Sequence, residues 1–453
     1  MSIGTRMLGI ALPAAFVFAP PAVVPKAAAT TPPAVDDSLL PKSQSPAPPT
    51  RTEQTEQCAA SLGDSVPADA GGQLDDLDLP SVWRLTRGAG QTVAVIDTGV
   101  ARHRLLPHLV PGGDFVSSSD GTEDCDGHGT IVAGIIGATA DRETANRFSG
   151  VAPDAAIVGI RQSSNKFRAA DNTTGSGFGD VDTLARAVRT AADMGATVIN
   201  ISTVACVAAD AVLDDRALGA ALAYAVDVKN VVVVAAAGNV GAPGQCRDQN
   251  PTHPGRPDWD DVKVVASPAW YDDYVLTVGS IAPDGRPSDF SLAGPWVDVA
   301  AAGEKVISLD RDGEGLVAKT ATSAGEQPIA GTSYAAPVVA GLVALVRARS
   351  PQLTARQVMR RIEETARHPA AGWDPVVGHG VVDVLGAVTG GPRPIEKADR
   401  VTAVAFPAST APDQRPALIA LRGAAICLAV ILAVAATTLC RRRLRNDKAV
   451  PRD

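Results

Sequence analysis

The sequence predicts a doubly wound α/β domain with a mostly parallel sheet and helices on both faces. Two patterns and one compositional fact carry that prediction. The runs QTVAVID, AAIVGI, TVINIS, VVVVAAAG and YVLTVGS are apolar nearly throughout, as strands buried on both faces of a parallel sheet are. Between them lie segments of helical period. In DVDTLARAVRTAADMG the residues Leu184, Ala187, Val188, Ala191 and Ala192 share one face, and Gly195 supplies a stop. LDDRALGAALAYAVDV separates TVINIS from VVVVAAAG in the same way. Such an alternation places the functional site at the carboxyl ends of the strands. Finally, 45% of the 453 residues are apolar, enough for a sizeable core. The net charge of −8 leaves no basic footprint of the kind nucleic acid requires.

From the N-terminus, Arg6, the apolar MLGIALPAAFVFA and the small residues Ala27 to Ala29 mark residues 1–29 as an export signal. Residues 30–80 form a Pro-rich extension (TTPPAVDD, KSQSPAPPTRT) too poor in periodic apolar residues to fold as a separate inhibitory domain. It is expected to wrap the α/β domain without filling the cleft. That domain runs over residues 81–389, and residues 390–416 read as a linker. Residues 417–440, ALIALRGAAICLAVILAVAATTLC, are long enough to span a bilayer with only Arg422 charged. A buried core helix would show the same apolar run, but the basic RRRLR that follows favours a stop at the membrane. Residues 441–453 then form a cytoplasmic tail. The chain is expected to be a single-pass protein of the cell membrane, with its α/β domain outside the cytoplasm.

Four of the six cysteines, Cys58, Cys125, Cys206 and Cys246, lie in the exported part, where disulfides form. Four cysteines allow three pairings. Cys58 with Cys125 is preferred because it would tie the extension to the domain, and Cys206 with Cys246 because that pair brackets one continuous segment. No C-x-x-C pair points to metal ligation. The acid-rich DGTEDCDG lacks a specific ligand spacing, so no metal ligands and no cofactor are assigned, and calcium binding stays open.

The chemistry-bearing residues sit at strand ends and helix starts. QTVAVID delivers Asp97 to the sheet edge, followed by a Thr-Gly turn. CDGHGTIVAGIIGA sets His128 between two glycines just ahead of an apolar helix. VVVVAAAG ends beside Asn239. In GTSYAAPVVAGLVALV, Ser333 precedes an apolar helix, where it suits either a nucleophile in the field of the helix mouth or an ordinary N-cap. An Asp, a His and a Ser in this setting match an orienting acid, a general base and a nucleophile. Asn239 would donate to the oxyanion.

The segments IDTGV, DGHGT, AAAGN and GTSYAAP, in that order, resemble the four signatures of subtilisin-like serine proteases. The resemblance covers most of residues 82–388 and implies a subtilisin-like fold and endopeptidase activity through Asp97, His128 and Ser333. It also implies that a substrate strand lies between Gly175, Ser176 and Gly177 on one side and Ser202, Thr203 and Val204 on the other, by β-augmentation. Two departures stand out: STVAC where many relatives carry Ser-Leu-Gly-Gly, and Tyr334 where many carry Met. With the export signal, the extension, the four exported cysteines and the C-terminal anchor, the chain as a whole resembles the mycosins. They are membrane-anchored proteases of actinobacterial type VII secretion systems. Membership implies secreted protein substrates and membrane partners in the secretion complex, with a second role as a structural part of that machine.

Overall fold

The computed structural model describes residues 30–61, 66, 71–140, 148–172, 177–211, 213–241, 245–322, 325–391 and 436–437. The chain divides into Met1–Arg393 and Pro394–Asp453, and all but two of the second unit's residues fall outside the described ones. The predicted export signal at 1–29 and the predicted span at 417–440 therefore lie almost wholly outside them. Among the described residues, no helix is long and apolar enough to cross a membrane.

Seven strands form the central sheet: β1 (Thr92–Asp97), β2 (Leu109–Asp114), β3 (Ala156–Arg161), β4 (Val198–Ile201), β5 (Val232–Ala236), β6 (Val275–Ile281) and β7 (Val299–Ala302). Their order is β7-β6-β5-β4-β1-β3-β2, and every neighbouring pair is parallel. The five predicted strands are all present, and they are the inner ones. The two edges, β2 and β7, went unpredicted. The chain order turns at β1, which opens a crevice at its carboxyl end, where Asp97 sits.

Five helices matter for the site: α1 (His128–Gly137), α2 (Val181–Asp193), α3 (Arg216–Ala223), α4 (Thr332–Arg349) and α5 (Ala355–Thr365). Helix α2 starts in a capping box between Asp180 and Thr183. Helix α3 runs on through a π turn at Tyr224–Val228. Helices α1 and α4 pack on each other and on the sheet, and α2 packs on α3 and on β1, β3 and β4. Both α1 and α4 are buried along nearly their whole length, which explains their lack of a polar face. In α4, Gly341 allows close packing, because a Cβ there would lie 2.6 Å from the Val151 Cβ.

The Pro-rich composition of the extension hides an ordered strap. The Thr30 N–H donates to the Trp259 carbonyl, and Pro46 fills the space over Gly113. Thr52–Gln54 then pairs antiparallel with Phe167–Ala169. Disulfides join Cys58 to Cys125 and Cys206 to Cys246. Beyond the first bridge, Ser61 donates its hydroxyl to Asp310 at 2.7 Å.

Candidate active site

Asp97 is wholly buried at the carboxyl end of β1, and its Oδ1 accepts from the Thr98 N–H at 2.7 Å. The same oxygen lies 2.7 Å from His128 Nδ1. Bonded so, the imidazole carries its proton on Nδ1 and leaves Nε2 free to accept one. Gly129 makes the approach possible: a Cβ there would fall 2.0 Å from the Gly99 carbonyl oxygen and 3.1 Å from the Asp97 Cβ. Burial opposes charge on the His128 ring. The charge and hydrogen bond of Asp97, with help from Asp124 and Asp126, outweigh it and raise the pKa above the ordinary 6.5.

Asp124 organises the turn that carries His128. Its buried carboxylate accepts from Thr98 Oγ1 at 2.9 Å, Gly127 N at 2.7 Å, Asp126 N at 3.2 Å, and Thr130 N and Oγ1 at 2.9 and 2.7 Å. Burial pushes its pKa up to about 6 against these bonds. The sequence offered only an acid-rich patch here. Its one usable signal was an Asp before the His with a Thr after it, both able to hold the intervening turn.

Ser333 is the second residue of α4, not its cap. The N-cap is Gly331, with φ +155°, and the missing cap comes from far along the chain: Asn239 Oδ1 accepts from the Thr332 N–H at 2.9 Å and from its hydroxyl at 3.1 Å. The Tyr334 N–H donates to the Gly331 carbonyl. Among the described residues, the Ser333 N–H has no hydrogen-bond partner, and the Asn239 amide nitrogen lies at the helix start, 3.6 Å from where a Cβ on Gly331 would be. Behind the helix start, Asn200 donates to Ser202 Oγ at 2.9 Å, and Ser202 donates to the Ser333 carbonyl at 2.8 Å. The second disulfide braces the same corner, since the Cys246 N–H donates to the Asn239 carbonyl at 2.8 Å.

The structure brings Asp97, His128, Ser333 and Asn239 to one end of the sheet. The Tyr334 ring, next to Ser333, lies 5.1 Å from that of His128. No hydrogen bond joins the Ser333 hydroxyl to the imidazole. Such contacts are commonly loose before a substrate tightens them. His379 is elsewhere: its N–H donates to the Asp298 carbonyl, and its own carbonyl lies 2.7 Å from His368 Nδ1.

On the two expected substrate edges, Gly175 and Ser176 lie outside the described residues. Gly177 leads into Phe178, which pairs through its backbone with Ser164. Asp126 in turn accepts from Ser164 Oγ and the Asn165 N–H, linking this edge to the His128 turn. Ser202 has its side chain turned into the site. The main-chain groups of Thr203 and Val204 find no partner among the described residues. The described residues contain no group of three His, Cys, Asp or Glu side chains that could hold a metal ion.

Residues 88–380 match the model of the subtilase family. The chain is 56% identical over 442 residues to mycosin-4 of Mycobacterium tuberculosis, covering 94% of each. It also resembles the structure of the MycP3 protease from the type VII (ESX-3) secretion system, at 42% identity and a TM-score of 0.72. That match covers 79% of this chain and 99% of the other. A chain of the intact ESX-5 inner membrane complex matches at 39% identity and a TM-score of 0.74, over 90% of this chain and 100% of its own length.

Proposed function

This chain belongs to the subtilase family and, within it, to the mycosins, serine proteases of type VII secretion, and from that premise we propose how its residues divide the work. Ser333 is the nucleophile, His128 the general base and Asp97 the acid that fixes the imidazole. As the Ser333 Oγ bonds to the scissile carbonyl carbon, its proton passes to His128 Nε2, and His128 returns it to the leaving amine. The carbonyl oxygen gains its negative charge between the Ser333 N–H and the Asn239 amide. The observation that carries this reading is the Asn239 cap, which satisfies Thr332 and leaves the Asn239 amide nitrogen and the Ser333 N–H without a partner among the described residues, at the start of the helix whose Tyr334 ring meets that of His128. The open main chain of Thr203 and Val204 supports a substrate strand laid alongside it, with the segment at residues 175–177 as the opposite edge.

Residues 417–440 anchor the protease, and the linker at 390–416 holds it within roughly 30 Å of the membrane. Its substrates are secreted proteins that pass there. A second role as a structural part of the secretion complex is favoured by the full-length match to a chain of the ESX-5 inner membrane complex. Ser333→Ala separates the roles. Cleavage of a secreted substrate should stop, and secretion should persist if the scaffold suffices. Cleavage that continues in this variant would refute the nucleophile assignment. Removal of residues 417–453 should release a domain that cleaves a model peptide yet processes its cellular substrate poorly. Normal processing by that freed domain would argue for a generic surface protease instead, which should also purify in mild detergent without secretion partners.

A further inference from the structure

Tyr334 follows the nucleophile directly, and its ring centroid lies 5.1 Å from that of His128 with the planes tilted by 46°. Both values fall in the range where aromatic rings attract, and a cation within about 6 Å of a ring centroid is attracted by the π system. The ring reaches back over the helix start, since a Cβ on Gly331 would lie 3.6 Å from Tyr334 Cδ2. Its hydroxyl makes no hydrogen bond among the described residues, so the phenol is not held there by its polar end. Burial, followed by the charges of Asp97 and Asp124, raises its pKa, and the ring stays neutral.

Other groups also act on His128. Asp97 bonds it from β1, while Asp124 and Asp126 act from its own turn. Arg311 packs over Gly127 and donates to the Asp124 carbonyl at 2.8 Å. None of these is on α4, from which Tyr334 reaches the imidazole.

We propose, on the reading of Ser333 and His128 given above, that Tyr334 is a positioning residue whose ring holds the imidazole against Asp97 and stabilises the imidazolium formed when His128 takes the Ser333 proton. The imidazolium exists only once the proton has moved. The ring therefore favours the transition state over the resting enzyme and acts on kcat more than on KM.

The test uses the full-length chain with Ser333→Ala, Tyr334→Leu and Tyr334→Phe. A fluorophosphonate ester probe, which needs no known substrate, reports the reactivity of Ser333 as a function of pH. Tyr334→Leu should lower the plateau labelling rate by roughly three- to thirty-fold and move the acid limb to lower pH, because the imidazolium loses a stabilising neighbour. Tyr334→Phe, which keeps the ring, should restore both. General damage to the site would lower the rate without moving the limb. Should leucine unfold the chain, Tyr334→Met gives the same comparison. As a second readout, NMR titration of His128 in the Ser333→Ala background should show a lower pKa with leucine and an unchanged one with phenylalanine. A wild-type plateau, an unmoved limb, or a phenylalanine variant as impaired as leucine would overturn the proposal. Undiminished labelling of Ser333→Ala would instead overturn the nucleophile assignment on which it rests.

Discussion

Asn239 gives one side chain two jobs, and substitution can separate them. Its Oδ1 caps α4 through the Thr332 N–H and hydroxyl, a task that Gly331 has no side chain to perform. Its Nδ2 has no acceptor among the described residues and lies at the start of α4, 3.6 Å from where a Cβ on Gly331 would be. Asn239→Ala removes both functions. Loss of the cap costs about 1 kcal/mol of stability. Loss of the donor lowers kcat about 10²–10³-fold, or about 2.7–4 kcal/mol, the magnitude known for the corresponding oxyanion donor of subtilisin. Asn239→Asp removes only the donor. The carboxylate has the same shape, still accepts from Thr332, and adds a negative charge at a helix N-terminus, which is favourable by about 0.3–1 kcal/mol. The same charge sits where the oxyanion must form, so kcat should fall at least as far as with alanine. The aspartate variant should thus be at least as stable as the parent and no more active than the alanine variant. Denaturant unfolding at neutral pH measures the first quantity, and kcat and KM on a peptide amide measure the second, with KM little changed. A fully active aspartate variant would show that the amide does not face the reacting carbonyl. Equal destabilisation in the two variants would show that Oδ1 is not the cap.

Three further outcomes are expected. Since the His128 pKa is raised, its base form is lost as pH falls through a value above 6.5, and the pH–rate profile should have its acid limb there. Asp97→Asn should lower kcat on the order of 10⁴-fold and move that limb to lower pH; an unmoved limb would mean that another group controls it. Replacing Cys58 and Cys125 together by Ser opens a loop of sequence separation 67 and should cost about 4 kcal/mol in denaturant unfolding, with proteolysis beginning in residues 30–61. A loss below about 1 kcal/mol would show that the strap is held chiefly by its pairing with Phe167–Ala169.

The inner strands were legible because burial on both faces favours a nearly continuous apolar run, and β1, β3, β4, β5 and β6 all have one, interrupted in β4 by Asn200 and in β6 by Thr277 and Ser280. The edges are exempt from that rule. Strand β2, LVPGGD, tolerates Pro111 and two glycines because it has a neighbour on one side only, and it is partly exposed. Strand β7, VAAA, has little strand propensity of its own and is specified by pairing with β6 and by burial. Asp97, His128, Asn239 and Ser333 were legible as reactive types beside small residues at element ends. The offset of Ser333 within its helix was not. A Ser at the cap and a Ser two positions later give the same local string, and the deciding contact comes from Asn239, 93 residues before Thr332. Asp124 was hidden for another reason: in sequence it looks like a solvated acid, and only the fold buries it with its donors.

The groups that this site needs stand at the ends of strands and helices, next to turns, and turns are the part of a fold least constrained by packing. A preorganised oxyanion site works only if its donors do not have to reorganise as charge develops. The structure meets that requirement by fastening each turn to something distant. Cys125, three residues before His128, is bonded to the strap, and Arg311 spans the same junction by donating to the carbonyls of Asp124 and Ala59. Cys246 holds the Asn239 carbonyl while its sulfur is bonded to Cys206, just past the end of β4. Ser202, between β4 and Cys206, grips the carbonyl of Ser333 itself. Each bridge thus ends within three residues of a reactive group or directly on its backbone partner. Their contribution therefore lies in the geometry of the cleft as well as in global stability, and it explains why an extension so rich in proline is ordered against this face of the domain.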